Sequence, residues 1–179
     1  MSRVGFAGAA AVAVGLGATS MAAAETPLEL AVKATYLEKL APFVTWPAPA
    51  YPTADAPLVI CVQGADPFGG VLDRAIAGQV VGSHPVAIRR MPRIGPDSAC
   101  HIAYIGGSTA QSEMAALRAV AGGHVLTVTD QDHGGRAAGV VHLVLSDGRV
   151  RFAIDLDQAR QNGLQISSKL LGLAVTVKR

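Results

Sequence analysis

The sequence is poor in cysteine, in aromatic residues and in net charge. Of its 179 residues two are cysteines and 4% are aromatic, and 15 basic residues nearly balance 13 acidic ones. Two cysteines form one disulfide at most, which excludes a disulfide-dense miniprotein and a four-cysteine zinc site. The formal charge of +2 and the scarcity of rings for base stacking argue against a nucleic-acid partner.

The motifs of several enzyme classes are also missing. The chain has no G-x-S-x-G nucleophile turn and no H-E-x-x-H zinc pair, and its five histidines are scattered. The glycine-rich stretch 64–70 has neither the Gly-Lys-Ser/Thr ending of a Walker loop nor G-x-G-x-x-G spacing, so we interpret it as a plain turn between a strand and a helix. The sequence therefore predicts no catalytic residue and no bound cofactor or metal.

One loop keeps an alternative open. Residues 130–135, Asp-Gln-Asp-His-Gly-Gly, follow a predicted strand and bring carboxylates and an imidazole to the carboxyl edge of the sheet, where α/β proteins bind ligands. As a calcium loop it fails, because Gly134 and Val141 stand where an Asp or Asn and a Glu are required. We expect a loop of turn-forming residues. The alternative is a small-molecule or metal-binding protein, or an enzyme, that uses Asp130–Gly135.

The start of the chain has the features of an export signal. Arg3 precedes an apolar run from Val4 to Leu16, and Ala22-Ala23-Ala24 offers small residues for cleavage. This order predicts a signal peptide over residues 1–24, cut after Ala24, and an exported mature protein. An uncleaved membrane anchor is the alternative, although the apolar run is short for a transmembrane helix.

Residues 25–179 alternate between helical and strand patterns without a linker, which predicts a single α/β domain. The opening amphipathic helix ends near Pro42 and places Glu29, Lys33, Glu38 and Lys39 off its apolar stripe. The further predicted helices are one begun by Asp66 as cap and ended by Gly78, one from about Ala110 to Ala121 after a Ser108 or Thr109 cap, one over Asp157–Asn162, and one over 168–174. The predicted strands are 58–62, 80–91, 101–105, 125–128, and a hairpin of 141–145 and 150–154 with one solvent-exposed face.

The two cysteines are Cys61, inside the first long strand, and Cys100, at the entry to a later one. In an oxidising compartment a bond between them is favoured, and it would stabilise the domain by ~4 kcal/mol through the entropy of the unfolded chain. Two buried free thiols are the alternative.

Half of the aromatic residues lie within sixteen positions, at Tyr36, Phe43, Trp46 and Tyr51. Trp and Tyr are common anchors of protein interfaces, so these four are candidates for a partner or dimer interface. That they only cover this end of the core is equally compatible with the sequence.

Several segments together resemble the YfiR family of exported bacterial proteins. The similar segments are 32–40 with Phe43-Val44-Thr45-Trp46-Pro47, then Ile60-Cys61-Val62-Gln63-Gly64 through Asp66-Pro67-Phe68, Cys100-His101-Ile102, residues 125–130, and Arg151-Phe152-Ala153-Ile154-Asp155 through residues 166–171. Their order and spacing span nearly the whole mature chain. A second cysteine pair common in this family is missing, because nothing after Cys100 is a cysteine.

The strand and helix pattern predicts a mostly parallel central sheet. The resemblance implies an α/β sandwich that tends to dimerise and has no catalytic activity. It further implies a periplasmic regulator that restrains a YfiN-type inner-membrane diguanylate cyclase by binding its periplasmic domain, and so lowers cyclic di-GMP signalling. We therefore expect a regulatory, homodimeric protein without cofactors, whose partner is the periplasmic domain of a membrane sensor.

Overall fold

The computed structural model describes residues 26–130 and 138–179 of the chain. Its helices are α1 (Pro27–Leu40), α2 (Gly70–Ile76), α3 (Glu113–Ala119), α4 (Leu156–Gln161) and α5 (Ser168–Leu171). Its strands are β1 (Val44–Thr45), β2 (Leu58–Gln63), β3 (Val80–Val81), β4 (His84–Met91), β5 (Ile102–Ile105), β6 (Leu126–Asp130), β7 (Val141–Ser146), β8 (Arg149–Asp155), β9 (Gln165–Ile166) and β10 (Thr176–Lys178).

Eight strands form one central sheet in the order β10-β8-β7-β6-β5-β2-β4-β3. β2 runs parallel to both β4 and β5, and the parallel pairing continues through β6 to β7. The hairpin of β7 and β8 and the short β3–β4 pair are antiparallel, and β1 and β9 form a separate two-stranded ladder. The predicted α/β class, mostly parallel sheet and C-terminal hairpin are confirmed.

Successive side chains of the buried strands point to opposite faces of the sheet, where they belong to two different hydrophobic clusters. In β2, Leu58, Ile60 and Val62 point into a large cluster with α1 and α2, whereas Val59 and Cys61 point into a smaller one with α3. Continuous apolar runs in β2 and β5 therefore reflect burial on both faces, as in other parallel sheets.

Two predicted helix starts were wrong, for the same physical reason. Asp66 does not cap α2, because its Oδ1 accepts the N–H groups of Phe68 and Gly69 in a turn before the helix. Ser108 likewise accepts two N–H groups in a turn, and Ser112 caps α3 instead. Both side chains are of types that cap helices, but each binds N–H groups of a local turn, and the helix begins four residues after Asp66 and five after Ser108.

Further differences between the predicted and the observed elements lie at the two edges of the central sheet. The predicted strand 80–91 is broken into β3 and β4 by a turn in which Gly82 adopts a φ of +62°, a left-handed conformation open to glycine. The last helix ends at Leu171, three residues earlier than predicted, and the chain then adds the edge strand β10 beside β8. β10 was not predicted, because three residues carry too short a pattern.

The side of α1 that the sequence leaves off the apolar stripe is only partly exposed. Lys33 is completely buried and Glu38 is 8% exposed, whereas Lys39 is in solvent. The Lys33 ammonium lies 2.8 Å from Asp130 Oδ2 at the end of β6 and 3.0 Å from Glu29 Oε1. A polar residue is buried here because α1 packs over the end of the sheet as well as along it.

Candidate functional site

The four candidate aromatic residues all pack against the large cluster while part of each ring stays exposed. Tyr36 contacts the hairpin, with its hydroxyl donating to the Val150 carbonyl oxygen and its ring edge-on to Phe152 at 5.4 Å. Trp46 and Tyr51 lie elsewhere, at the chain segment that leads into β2. All four residues are half-buried, so one part of each side chain packs on the core and the other part is accessible to a partner.

Trp46 and Tyr51 form a ring cluster with two histidines. The Tyr51 ring lies between His84, at 3.9 Å and 13° between planes, and His101, at 4.3 Å and 27°. Trp46 meets the His101 ring edge-on at 6.0 Å, and its Nε1 donates to the His101 carbonyl oxygen at 3.3 Å. We call these four residues the aromatic–histidine cluster.

The two histidines have different environments. His101 is 3% exposed, and its Nδ1 accepts the N–H of Val59 in β2 at 3.1 Å. Burial lowers the pKa of His101, the Ala50 carbonyl raises it by less, and His84 lowers it further. His84 is half-buried at the start of β4, and its Nδ1 lies 2.7 Å from the Ala56 carbonyl oxygen. Burial also raises the pKa of the Tyr51 hydroxyl.

An open groove of about 430 Å³ runs beside this cluster. Its walls include Pro42, Trp46 and Tyr51 on one side and Val80 and His84 on the other. Val80 is 58% exposed on β3, the edge strand of the sheet. An edge strand beside exposed aromatic surface is the kind of place at which a partner can bury apolar area.

Cys61 and Cys100 are joined by a disulfide on the opposite face of the sheet from α1. Their Cα atoms are 5.8 Å apart, a usual separation for such a bond. Cys61 is completely buried and Cys100 is 7% exposed at the wall of a second groove. The bond ties β2 to the entry of β5 immediately beside His101.

The turns that follow β2 and β5 pack directly against each other at the carboxyl end of the sheet. In a doubly wound sheet this is where strand order reverses and where nucleotides usually bind. Here a side chain at Gly64 would meet the Gly107 carbonyl oxygen at 2.0 Å, and Ala65 N–H donates to that same oxygen at 2.9 Å. Buried Gln63 donates to the Pro92 and Gln111 carbonyl oxygens and accepts the Gly107 N–H. The glycine-rich stretch 64–70 is thus a turn packed against its neighbour.

Of the loop Asp130–Gly135, which the sequence offers as an alternative ligand site, the structure describes only Asp130, because residues 131–137 lie outside the described part. Asp130 is 2% exposed and its carboxylate contacts the Lys33 ammonium. Its neighbour Thr129 holds His142 Nδ1 at 2.8 Å, and burial lowers the pKa of His142, an effect partly offset by the charge of Asp130. In the described residues no group of three or more His, Cys, Asp and Glu side chains is arranged to hold a metal ion.

Sequence reasoning missed the two histidines of the cluster. His84 and His101 are 17 positions apart and follow no ligand spacing, so nothing local marks them. The parallel topology brings them together, because β4 and β5 flank β2 on either side. His84 begins β4 and His101 directly precedes β5, and the starts of these two strands lie at the same end of the sheet.

The described chain is thus an α/β sandwich in which the turns after β2 and β5 pack together at the usual nucleotide crevice, and in which half-buried aromatic residues border a groove. A family model described as YfiR/HmsC-like matches residues 30–175, and the chain belongs to this family. No curated protein matches the chain. Within residues 26–130 and 138–179, no helix has the length and apolar character needed to span a membrane.

Proposed function

We propose that this chain is an exported, non-catalytic regulator that restrains an inner-membrane diguanylate cyclase by binding the periplasmic domain of that enzyme. The observation that carries the proposal is the YfiR/HmsC-like match over residues 30–175, a family of periplasmic regulators of such signalling. The signal-peptide pattern of residues 1–24, with cleavage after Ala24, supports export of residues 25–179.

Restraint without catalysis requires a difference in affinity. A regulator lowers cyclase activity only if it binds the inactive state of the membrane sensor more tightly than the active one. The contact between the turns at Gly64 and Gly107 supports a binding role, because protein atoms meet there at the place where such folds usually bind a nucleotide.

The groove beside the aromatic–histidine cluster is the proposed contact surface, for the partner or for a second copy of the chain. Trp46 and Tyr51 offer large half-buried rings there, and Val80 adds exposed apolar area. Tyr36 and Phe43 are further candidates at the margins of the same helix–turn segment. Rings held by the core bind with little loss of conformational entropy, which favours them as interface anchors.

The proposal is tested by placing a charge in the groove without disturbing the core. Val80→Lys should abolish repression, so that cellular cyclic di-GMP rises to the level of a deletion strain, while the melting temperature stays near that of the wild type. Leu173→Lys is the matched control, since Leu173 is 63% exposed and lies near the opposite edge of the sheet.

The two variants should therefore differ in cyclic di-GMP and agree in stability. The oligomer mass of each, measured in solution, shows whether Val80 contacts a second copy or the cyclase. If Val80→Lys represses as well as Leu173→Lys does, the groove is not the contact surface. If deletion of the gene leaves cyclic di-GMP unchanged, the regulatory function itself is wrong.

A further inference from the structure

The proline-rich segment, residues 47–57, contacts the sheet through two histidine rings and through the Ser83 hydroxyl, which donates to the Ala54 carbonyl oxygen at 3.0 Å. Tyr51 of this segment lies between His84 and His101, and the Ala56 carbonyl oxygen binds His84 Nδ1. Prolines at four of its eleven positions limit the backbone hydrogen bonds that it can make to a strand. Its attachment therefore depends in part on imidazole rings, which change their hydrogen-bonding capacity when they bind a proton.

The two histidines respond differently to a proton. The Ala56 carbonyl can only accept, so His84 Nδ1 carries a hydrogen, and an imidazolium keeps that bond. The N–H of Val59 can only donate, so His101 Nδ1 must be unprotonated. A proton on His101 Nδ1 removes this hydrogen bond. The Val59 N–H and the Nδ1–H of His101 would then be two donors that face each other in the core without an acceptor between them.

The surroundings of His101 offer a proton little compensation. The titratable groups that face its ring are Tyr51, on the stack, and His84, on the far side of Tyr51. The charge of His84 disfavours a second charge on His101, and the Asp55 carboxylate interacts with His84. The Ala50 carbonyl favours the charged ring, but burial outweighs it.

We propose that His101 is an acid-sensitive latch: its unprotonated ring binds the Val59 N–H at the start of β2 and supports the Tyr51 ring stacked on it. On protonation the ring leaves this position, and the proline-rich segment that packs on it loosens. The regulatory meaning of the latch rests on the proposed function, because the released segment carries Tyr51 of the contact surface. The latch itself is a property of the folded chain.

The direction of the pH effect follows from linkage. Burial holds the pKa of His101 in the latched state below its value in a released, solvated state, which is about 6.5. The latch is therefore fully stable above pH ~6.5 and weakens as the pH falls toward the latched pKa. Release involves one proton, so the equilibrium constant for opening rises by up to about tenfold per pH unit in this range.

Trp46 is the single tryptophan of the chain and reports on the latch directly. Between pH 7.5 and pH 5.0 the fluorescence maximum of the mature wild-type protein should move to longer wavelength as the indole becomes hydrated, with far-UV circular dichroism unchanged. His101→Asn keeps an acceptor for the Val59 N–H but does not titrate, so its emission should not depend on pH.

His142→Asn is the matched control, because burial lowers the pKa of His142 as well but this residue contacts Thr129 on another part of the sheet. This variant should keep the wild-type transition. A pH-independent wild-type spectrum, or an unchanged transition in His101→Asn, would overturn the latch.

Hydrogen exchange of the wild-type protein decides the matter if His101→Asn does not fold. After correction for the intrinsic rate, protection of the Val59 amide should fall between pH 7.5 and 5.0, while amides of β7 such as that of Leu143 keep theirs. Equal protection of Val59 at both pH values refutes the latch. Neither result bears on the effect of Val80→Lys on cyclic di-GMP, so the latch and the contact surface fail separately.

Discussion

The two faces of the central sheet are built in different ways. Among the described residues, 23 buried residues form the cluster beneath α1 and α2, whereas nine form the cluster on the α3 side. The larger face also buries an ammonium–carboxylate pair, Lys33 with Asp130, and the smaller face contains the disulfide.

The difference shows where each face obtains its stability. Apolar area removed from water scales with the number of buried side chains, so the larger face is stabilised mainly by burial. The smaller face has less area to bury, and it adds a covalent link and side chains that bind backbone groups, such as Gln111 with both the N–H and the carbonyl of Ile94. Substitutions on the two faces should therefore destabilise the fold for different physical reasons.

The largest effect is expected from Lys33, which lies on the large face. Lys33→Met removes the ammonium from a completely buried position and leaves the Asp130 carboxylate, 2% exposed, without that partner. Loss of one member of a buried pair costs about 3–5 kcal/mol of unfolding free energy, measured by urea denaturation. Lys39→Met is the control on the same helix, because the Lys39 side chain is 61% exposed.

The double variant Lys33→Met/Asp130→Asn sharpens this test. Removing the second charge should return part of the lost stability, since the penalty lies in the unpaired charge and not in the size of the side chain. If Lys33→Met is as stable as Lys39→Met, the large face does not depend on this ion pair.

On the smaller face, we expect the disulfide to make the largest single contribution to the free energy of unfolding. Its two cysteines are 39 positions apart, and closing a loop of this length stabilises a domain by about 4 kcal/mol. Cys61→Ala/Cys100→Ala should lower the free energy of unfolding by this amount, and a reducing agent should lower the melting temperature of the wild type alone. Two alkylatable thiols in native exported protein, denatured without reductant, would remove the disulfide from this comparison.

Much of this fold is readable from the sequence because periodic patterns report burial. The run Leu58–Val62 is apolar without alternation, which correctly predicted a strand covered on both faces, and the short apolar run 101–105 correctly predicted a further strand. The helix starts were harder, because Asp66 and Ser108 can cap a turn or a helix with the same atoms. The burial of Lys33 could not be predicted, because the pattern along one helix does not show that the carboxylate of a distant strand lies beside it.

The candidate site was predictable only in its aromatic half. Clustering along the chain drew attention to Trp46 and Tyr51, which do lie together. His84 and His101 reach the same place through strands that neighbour β2 in space but not in sequence. Pairing between distant segments is set by topology, and no local signal in one sequence specifies it.

The smallest change in unfolding free energy is expected for substitutions of Asn162, which lies where the two faces are joined. Asn162, 5% exposed after α4, accepts the Gly122 N–H at 2.8 Å and donates to the Val125 carbonyl oxygen at 2.7 Å. It thereby ties the α4 side of the molecule to the turn between α3 and β6. Asn162→Ala should cost about 1–3 kcal/mol, because a buried carbonyl loses its donor, while the exposed neighbour Gln161→Ala should stay within about 0.5 kcal/mol.

Asn162→Asp separates the two bonds, since an aspartate keeps the acceptor for Gly122 but has no donor for Val125. At neutral pH this variant should be at least as unstable as Asn162→Ala, because the carboxylate then faces a carbonyl oxygen in the core. Thermal unfolding of the three variants measures this order directly. Near-wild-type stability of Asn162→Asp would mean that the bond to Gly122 alone joins the faces, and that the Val125 carbonyl is satisfied in another way.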